Sequence, residues 1–188
     1  MKKPINQLSA VARRLSGRLR VAIARLIFGR DAIAASVQVQ YGVRIRTTDG
    51  GTLKLGEGVA FDRFADITVK YGKLQIGARS YVGQFCVICA REHVTIGADC
   101  LIGEHVTIRD QDHNFGLELN TARAGFQTSA VHIGDNVWIG AKTTVTKGVT
   151  IGDNVVIGAN SVVTCDIASN SVAVGAPARI IRTIRASD

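Results

Sequence analysis

The stretch Ile133-Gly-Asp-Asn-Val-Trp-Ile139-Gly-Ala-Lys-Thr-Thr-Val145-Thr-Lys-Gly-Val-Thr-Ile151-Gly-Asp-Asn-Val-Val-Ile157-Gly-Ala-Asn-Ser-Val-Val163 repeats an aliphatic residue every six positions. Glycine follows two of every three of these residues, so an eighteen-residue period lies over the six-residue one. A six-residue unit is too short for a helix and strand together; it holds one short strand and one turn. Three units close a triangular coil with the aliphatic slots inside.

Outward from this stretch the same slot holds Leu55, Phe61, Ile67, Ile76, Val82, Ile88, Ile96, Ile102 and Ile108, so no slot from 55 to 163 is polar. The register slips by three residues before Ile76, by two before Ile96 and by nineteen before Ile133. Such slips are loops extruded at a corner, and the longest, 114–132, is too polar for a core; long loops in compact domains are often functional. Val37 and Val43 continue the register backward into a degenerate first coil over 37–54, whose third slot is Asp49 in a glycine-rich turn. The pattern predicts an all-β parallel β-helix over 37–168, with coils stacked about 4.8 Å apart. Pro177 and the loss of register predict a C-terminal cap and tail over 169–188, in which Ile180, Ile181 and Ile184 cover the last ladder.

Residues 1–36 are different. Ile5, Leu8, Val11, Ala12, Leu15, Leu19, Ala22, Ile23 and Leu26 recur at three- and four-residue spacing, an apolar helical stripe. Residues 1–30 hold eight Lys or Arg and no acid, whereas 31–188 hold fifteen of each sign, so the net charge of +8 resides at the N-terminal end. A nucleic-acid-binding body is therefore not expected. The helix either caps the coil stack or lies on an anionic membrane, with arginines reaching the head groups; both can hold in turn. No run reaches the roughly 20 apolar residues of a membrane span, and Arg18, Arg20 and Arg25 interrupt any signal-peptide core. A chain of 188 residues buries enough surface to fold without staples. The four cysteines, Cys86, Cys89, Cys100 and Cys165, lack the second close pair of a zinc site and suit small buried positions in a reducing compartment.

Flat prism faces invite side-by-side packing of identical chains, for which a trimer with clefts between columns is the expected closed assembly. His113 ends Arg109-Asp-Gln-Asp-His113 at the root of the long loop, beside such a cleft. An imidazole titrates near neutrality, so it can take a proton from a hydroxyl or amine and return it to a leaving group. His105 lies mid-coil as a structural residue. His93, His113 and His132 each fall at a coil boundary and could gather at one corner as a zinc set. Trp138, the only tryptophan, falls at an outward position and suggests a contact surface. Lys142, Lys147, Arg179, Arg182 and Arg185 are either solvated charge or a seat for phosphates.

The repeats from 133 to 164, followed by Val174-Gly-Ala-Pro-Ala-Arg179, closely resemble the hexapeptide-repeat acyltransferases, in particular the maltose, galactoside and polysaccharide O-acetyltransferase branch. The resemblance covers residues 55–185 and implies a left-handed β-helix, a homotrimer, acetyl-coenzyme A as donor and no metal. It implies that His113 is the catalytic histidine, that Gly140, Ala141 and Ala159 present backbone to the pantetheine arm, and that the Ala141 amide is an oxyanion donor. Trp138 matches the tryptophan lining the cleft, and Thr164, Arg179 and Arg182 match positions near the nucleotide. Gln84 and Glu92 fall near positions that hold the acceptor's hydroxyls. Cys165 stands where relatives commonly place a lysine, which shifts phosphate contacts toward Lys142, Lys147 and the C-terminal arginines. Asp112-His-Asn resembles the polysaccharide branch, with Asp112 beside the acceptor. The resulting expectation is O-acetylation of a saccharide in surface polysaccharide biosynthesis, in the cytoplasm at the inner face of the membrane. The alternatives are a zinc hydratase similar to γ-class carbonic anhydrases and a non-catalytic membrane-docked scaffold.

Overall fold

The structure, a computed structural model, describes residues 17–118 and 120–185. All fifteen predicted slots from Leu55 to Val163 are at most 3% exposed. They stack because each coil hydrogen-bonds to the next in parallel register: Leu55, Ile76, Ile96, Ile133 and Ile151 form one ladder, Phe61, Val82, Ile102, Ile139 and Ile157 a second, and Ile67, Ile88, Ile108, Val145 and Val163 a third. The result is a three-sided left-handed β-helix.

The first face runs from Thr52–Leu55 to Thr150–Ile151, the second from Gln38–Val39 to Ala178–Thr183, and the third from Arg44–Thr48 to Val162–Val163. Behind each slot a small or β-branched residue, such as Val59, Ala65, Ser80, Val106, Thr143 or Ser161, is fully buried at the corner. The corners turn through residues in the left-handed region. Between the first and second faces these include Asn136, Asn154 and Asn170, a residue type that tolerates positive φ. Their amides also form a ladder, Asn136 Nδ2 donating to Asn154 Oδ1 at 2.9 Å and Asn154 Nδ2 to Asn170 Oδ1 at 3.0 Å.

The first coil forms, but four residues ahead of the expected register: Ile33 is bridged to Leu55, Val39 pairs with Phe61 and Ile45 with Ile67, so Val37 and Val43 take the corner place behind each slot and Asp49 turns the chain at φ 53° rather than filling a slot. Residues 17–28 are helical. Val21 is buried, and Ala24 and Phe28 pack on the core, so this helix does lie against the stack. The predicted stripe faces the other way. Leu19, Ile23 and Leu26 are exposed, because the helix carries a second apolar line through 21, 24 and 28 that the stripe's spacing obscured. Ile5, Leu8, Val11, Ala12 and Leu15 lie outside the described residues.

Two boundaries differ from the periodicity. Gln111–His113 pairs antiparallel with Phe126–Thr128, so the chain leaves the stack after Asp110 as a hairpin, and Val131–Ile133 is already back on the first face beside His93–Ile96. A period of six cannot register antiparallel pairing of polar residues. At the other end Ala178–Thr183 folds back on Ser171–Gly175, which extends the second face. Edge-on pairing puts Ile180 and Ile181 on the sheet's surface, exposed, rather than over the last ladder; Ile167 and Ala173 are the residues buried there.

Alternation on the second face supplies a test. Ile102 is fully buried between Val82 and Ile139, whereas Leu101 beside it is 47% exposed. Ile102→Ala is expected to destabilise the fold by about 2–5 kcal/mol in chemical denaturation, and Leu101→Ala by about 0.5 kcal/mol or less. Equal losses would contradict the inward assignment.

Candidate active site

The hairpin that bears His113 grows from the edge between the third and first faces, and a buried carboxylate fixes its root. Asp110 is fully buried; it accepts the Arg91 N–H at 2.9 Å and the Glu92 N–H at 2.7 Å, and its carbonyl accepts the Ser129 N–H at 2.9 Å. One residue thus ties the preceding coil's corner, through its carboxylate, to the returning chain, through its backbone carbonyl. Three residues on, His113 is exposed, with its ring 4.2 Å from that of Phe126. The Arg91 guanidinium lies 3.6 Å from the Phe126 centroid, a cation–π contact that backs the ring against which the imidazole rests. Asp112 pairs with Lys147 at 3.3 Å on the same edge. Thr164 and Cys165 follow one coil later, their Oγ1 and Sγ 3.7 Å apart.

A groove of about 740 Å3 runs along the second face and its edge with the third, lined by Trp138, Gly140, Ala141, Ala159 and Gln84 among others. Trp138 is 52% exposed, as its outward position predicts. The floor is bare backbone for a physical reason. A Cβ on Gly103 would lie 2.8 Å from the Ala141 nitrogen, and one on Gly140 would lie 2.5 Å from the Ala159 nitrogen. Any side chain there would cover those amides. Gly140 N–H is taken by the Ile157 carbonyl and Lys142 N–H by that of Glu104, while the Ala141 N–H between them has no acceptor among the described residues. At one end of the groove the Tyr81 hydroxyl donates to Asp62 at 2.8 Å. Burial, reinforced by that carboxylate, pushes Tyr81 up to about 12. Burial alone would raise Asp62, but the Arg63 N–H and the Tyr81 hydroxyl outweigh it and hold the carboxyl below its usual range. Tyr81 therefore stays a donor and Asp62 an acceptor at neutral pH.

The predicted site residues thus separate into two groups. Trp138, Gly140, Ala141, Lys142, Ala159 and Gln84 share the second face and its edge, with Arg179 and Arg182 on that face's outermost strand. His113, Glu92, Asp112, Lys147, Thr164 and Cys165 share the edge between the third and first faces. Lys147 consequently stands with the histidine rather than with the tryptophan. Asp110, Arg91, Phe126, Asp62 and Tyr81 were not singled out from sequence; Asp110 sits in Arg-Asp-Gln-Asp, where nothing but burial distinguishes one aspartate from the other.

The remaining histidines and cysteines have local explanations. His105 turns the second edge at φ 57° and stacks on Phe85, which stacks on Phe64. His93 and His132 meet on the first face with centroids 5.8 Å apart, and His132 Nδ1 is 2.8 Å from Thr95 Oγ1. Among the described residues no three His, Cys, Asp or Glu side chains converge as a metal set. Cys86 and Cys100 are buried as expected, and burial pushes the Cys86 thiol up to about 11, far from a nucleophilic thiolate. Cys165 departs from the expectation and is exposed, because it lies past the last slot of the third ladder.

A family model described as bacterial transferase hexapeptide (six repeats) matches residues 130–165. The putative lipopolysaccharide biosynthesis O-acetyl transferase WbbJ of Escherichia coli K12 is 35% identical over 145 residues, which cover 71% of this chain and 69% of that protein. The polysialic acid O-acetyltransferase of Escherichia coli O1:K1 is 38% identical over 117 residues, 62% of this chain. The crystal structure of the polySia-specific acetyltransferase NeuO superposes with a TM-score of 0.67 at 27% identity, covering 78% of this chain and 70% of that one. The chain spans about half the length or less of several curated relatives it matches, 48% and 38% for two of them. The hexapeptide family model on residues 130–165, the stack of six-residue coils that contains them, and 35% identity to a putative O-acetyl transferase across more than two thirds of both chains make this chain a member of the bacterial hexapeptide-repeat transferase family.

Proposed function

We propose that the chain is an O-acetyltransferase that moves an acetyl group from acetyl-coenzyme A to a saccharide hydroxyl, in the synthesis of a surface polysaccharide at the cytoplasmic side of the membrane. The observation that carries this reading is the glycine-floored groove beside Trp138, whose uncovered Ala141 amide suits a thioester carbonyl, together with the exposed His113 imidazole on another edge of the same prism. A slender pantetheine arm fits a floor without side chains. The relatives named as a polysialic acid O-acetyltransferase and a putative lipopolysaccharide biosynthesis O-acetyl transferase support the substrate class.

His113 takes the proton of the acceptor hydroxyl as that oxygen attacks the thioester carbon. The Ala141 N–H donates to the oxyanion, a contact worth about 3 kcal/mol in comparable acyl transfers. As the new C–O bond is retained and the C–S bond breaks, His113 returns the proton to the departing thiolate. No side chain carries the acyl group; both substrates meet in one cleft, where orientation lowers the barrier.

His113 and the groove occupy different edges, so a homotrimer in which one chain's histidine edge faces its neighbour's groove would complete the site. The test is incubation with acetyl-coenzyme A and a panel of saccharides, with free thiol and acetylated product as readouts. Thiol release that depends on a saccharide, with matching mass gain, is the expected result. Absence of coenzyme A binding in calorimetry would overturn the reading and leave a non-catalytic scaffold.

A further inference from the structure

The helix at 17–28 has two apolar lines, and the coil stack uses only one of them. Val21, Ala24 and Phe28 pack against the first coils. At 100° per residue, Leu19, Ala22, Ile23 and Leu26 fall on the opposite side. There Leu19 is 63% exposed, Ile23 48% and Leu26 86%, and the adjacent Ile27 is 67% exposed. Helices of globular proteins ordinarily present charged or polar residues on the side away from the core. This one presents leucine and isoleucine.

The charge around that line is of one sign. Arg18 and Arg25, seven residues apart, border it on one side, and Arg20 borders it on the other. Arg20 also donates to the Val39 carbonyl at 3.2 Å and lies over the exposed ring of Tyr41 at 5.8 Å, which ties this border to the first coil. Residues 1–30 carry eight basic residues and no acidic one, in a chain whose remainder is balanced at fifteen of each sign. An apolar stripe edged by arginine, with an aromatic ring at its rim and no acidic residue in the helix, complements a surface that is apolar beneath and anionic on top. A protein partner of ordinary composition offers no reason for such a one-signed border.

We propose that this helix face docks the N-terminal end of the prism on an anionic lipid bilayer, with Leu19, Ile23 and Leu26 entering the acyl boundary and the arginines held at the phosphates. The docking is peripheral, since no described helix is long and apolar enough to cross a membrane. It is independent of the acetyl-transfer reading, because none of its residues lines the groove or the histidine edge.

The experiment is co-sedimentation of the full chain with phosphatidylglycerol-containing phosphatidylcholine vesicles, and with phosphatidylcholine alone, at low and high salt. Binding to the anionic vesicles that weakens with salt is expected. Leu19→Asp/Leu26→Asp is expected to weaken it by about tenfold or more, with unchanged thermal unfolding and unchanged coenzyme A binding. Both side chains project into solvent, so the variant retains the packing of Val21, Ala24 and Phe28. Equal binding to neutral vesicles, or an unaltered affinity in the double variant, would overturn the proposal. A drop in molar mass by light scattering in the double variant, with no vesicle binding by the parent, would overturn it in favour of a face between copies of this chain.

Discussion

His113→Ala is expected to lower kcat/KM for acetyl transfer by about a hundred- to ten-thousand-fold, the range of a positioned acid–base group. Coenzyme A binding, oligomeric mass and thermal stability should stay at parental values. The reason for this separation lies in how the histidine is mounted. Its side chain is exposed on a hairpin outside the coil stack, and its neighbours keep their own anchors: Asp110 bonds the Arg91 and Glu92 amides without it, and Phe126 retains Arg91. Removing the imidazole therefore removes chemistry and almost no packing. Retention of most of the activity would end the assignment of His113 as the base, and loss of coenzyme A affinity would move it from proton transfer to binding.

Complementation between two inactive chains is the second large effect. Ala159 is exposed in the groove, so Ala159→Trp is expected to fill the groove without disturbing the ladder beneath it, where Ile157 is fully buried. Alone, this variant and His113→Ala should each be nearly inactive. Unfolded together in equal amounts and refolded, they should regain about a quarter of the parental activity. Each site would then take its histidine from one chain and its groove from the next, and random assembly pairs two intact halves in about one case in four. A site built within one chain predicts a mixture as inactive as its components. Both results are read from the same thiol-release assay, with refolded parent as the reference.

The fold was legible because burial acts on every slot alike. A polar residue at Ile102 or Val145 would be trapped inside a three-sided tube with no partner, so the period of six survives in the sequence wherever the coil survives in space. The site was legible only in parts. Trp138 and the glycines announce themselves, the first by being a lone outward tryptophan and the second by their place in the repeat. His113 was legible from its place at the root of the long loop, and the resemblance to acyltransferases pointed to the same residue. Asp110 did not announce itself, since a buried carboxylate bonded to two amides looks in sequence like any aspartate in a polar string. Nor did the double-sided helix, where two apolar lines overlap at three- and four-residue spacing.

By itself, then, the sequence determined the coil and its inward residues from Leu55 onward, because those depend on alternation between interior and solvent along the local chain; the first coil's register, with Ile33, Val39 and Ile45 inward, came only from its pairing with the second. Only the tertiary structure decided which edge each chemical group occupies. All three edges are built from the same six-residue unit, and two or nineteen inserted residues at a corner leave the ladders intact while carrying a side chain to a different side of the prism. His113 and Lys147 came to one edge and Trp138 and Ala141 to another through contacts between residues far apart in sequence, the Asp110 carboxylate on the preceding coil and the antiparallel pairing of His113 with Phe126. Those contacts leave no period behind.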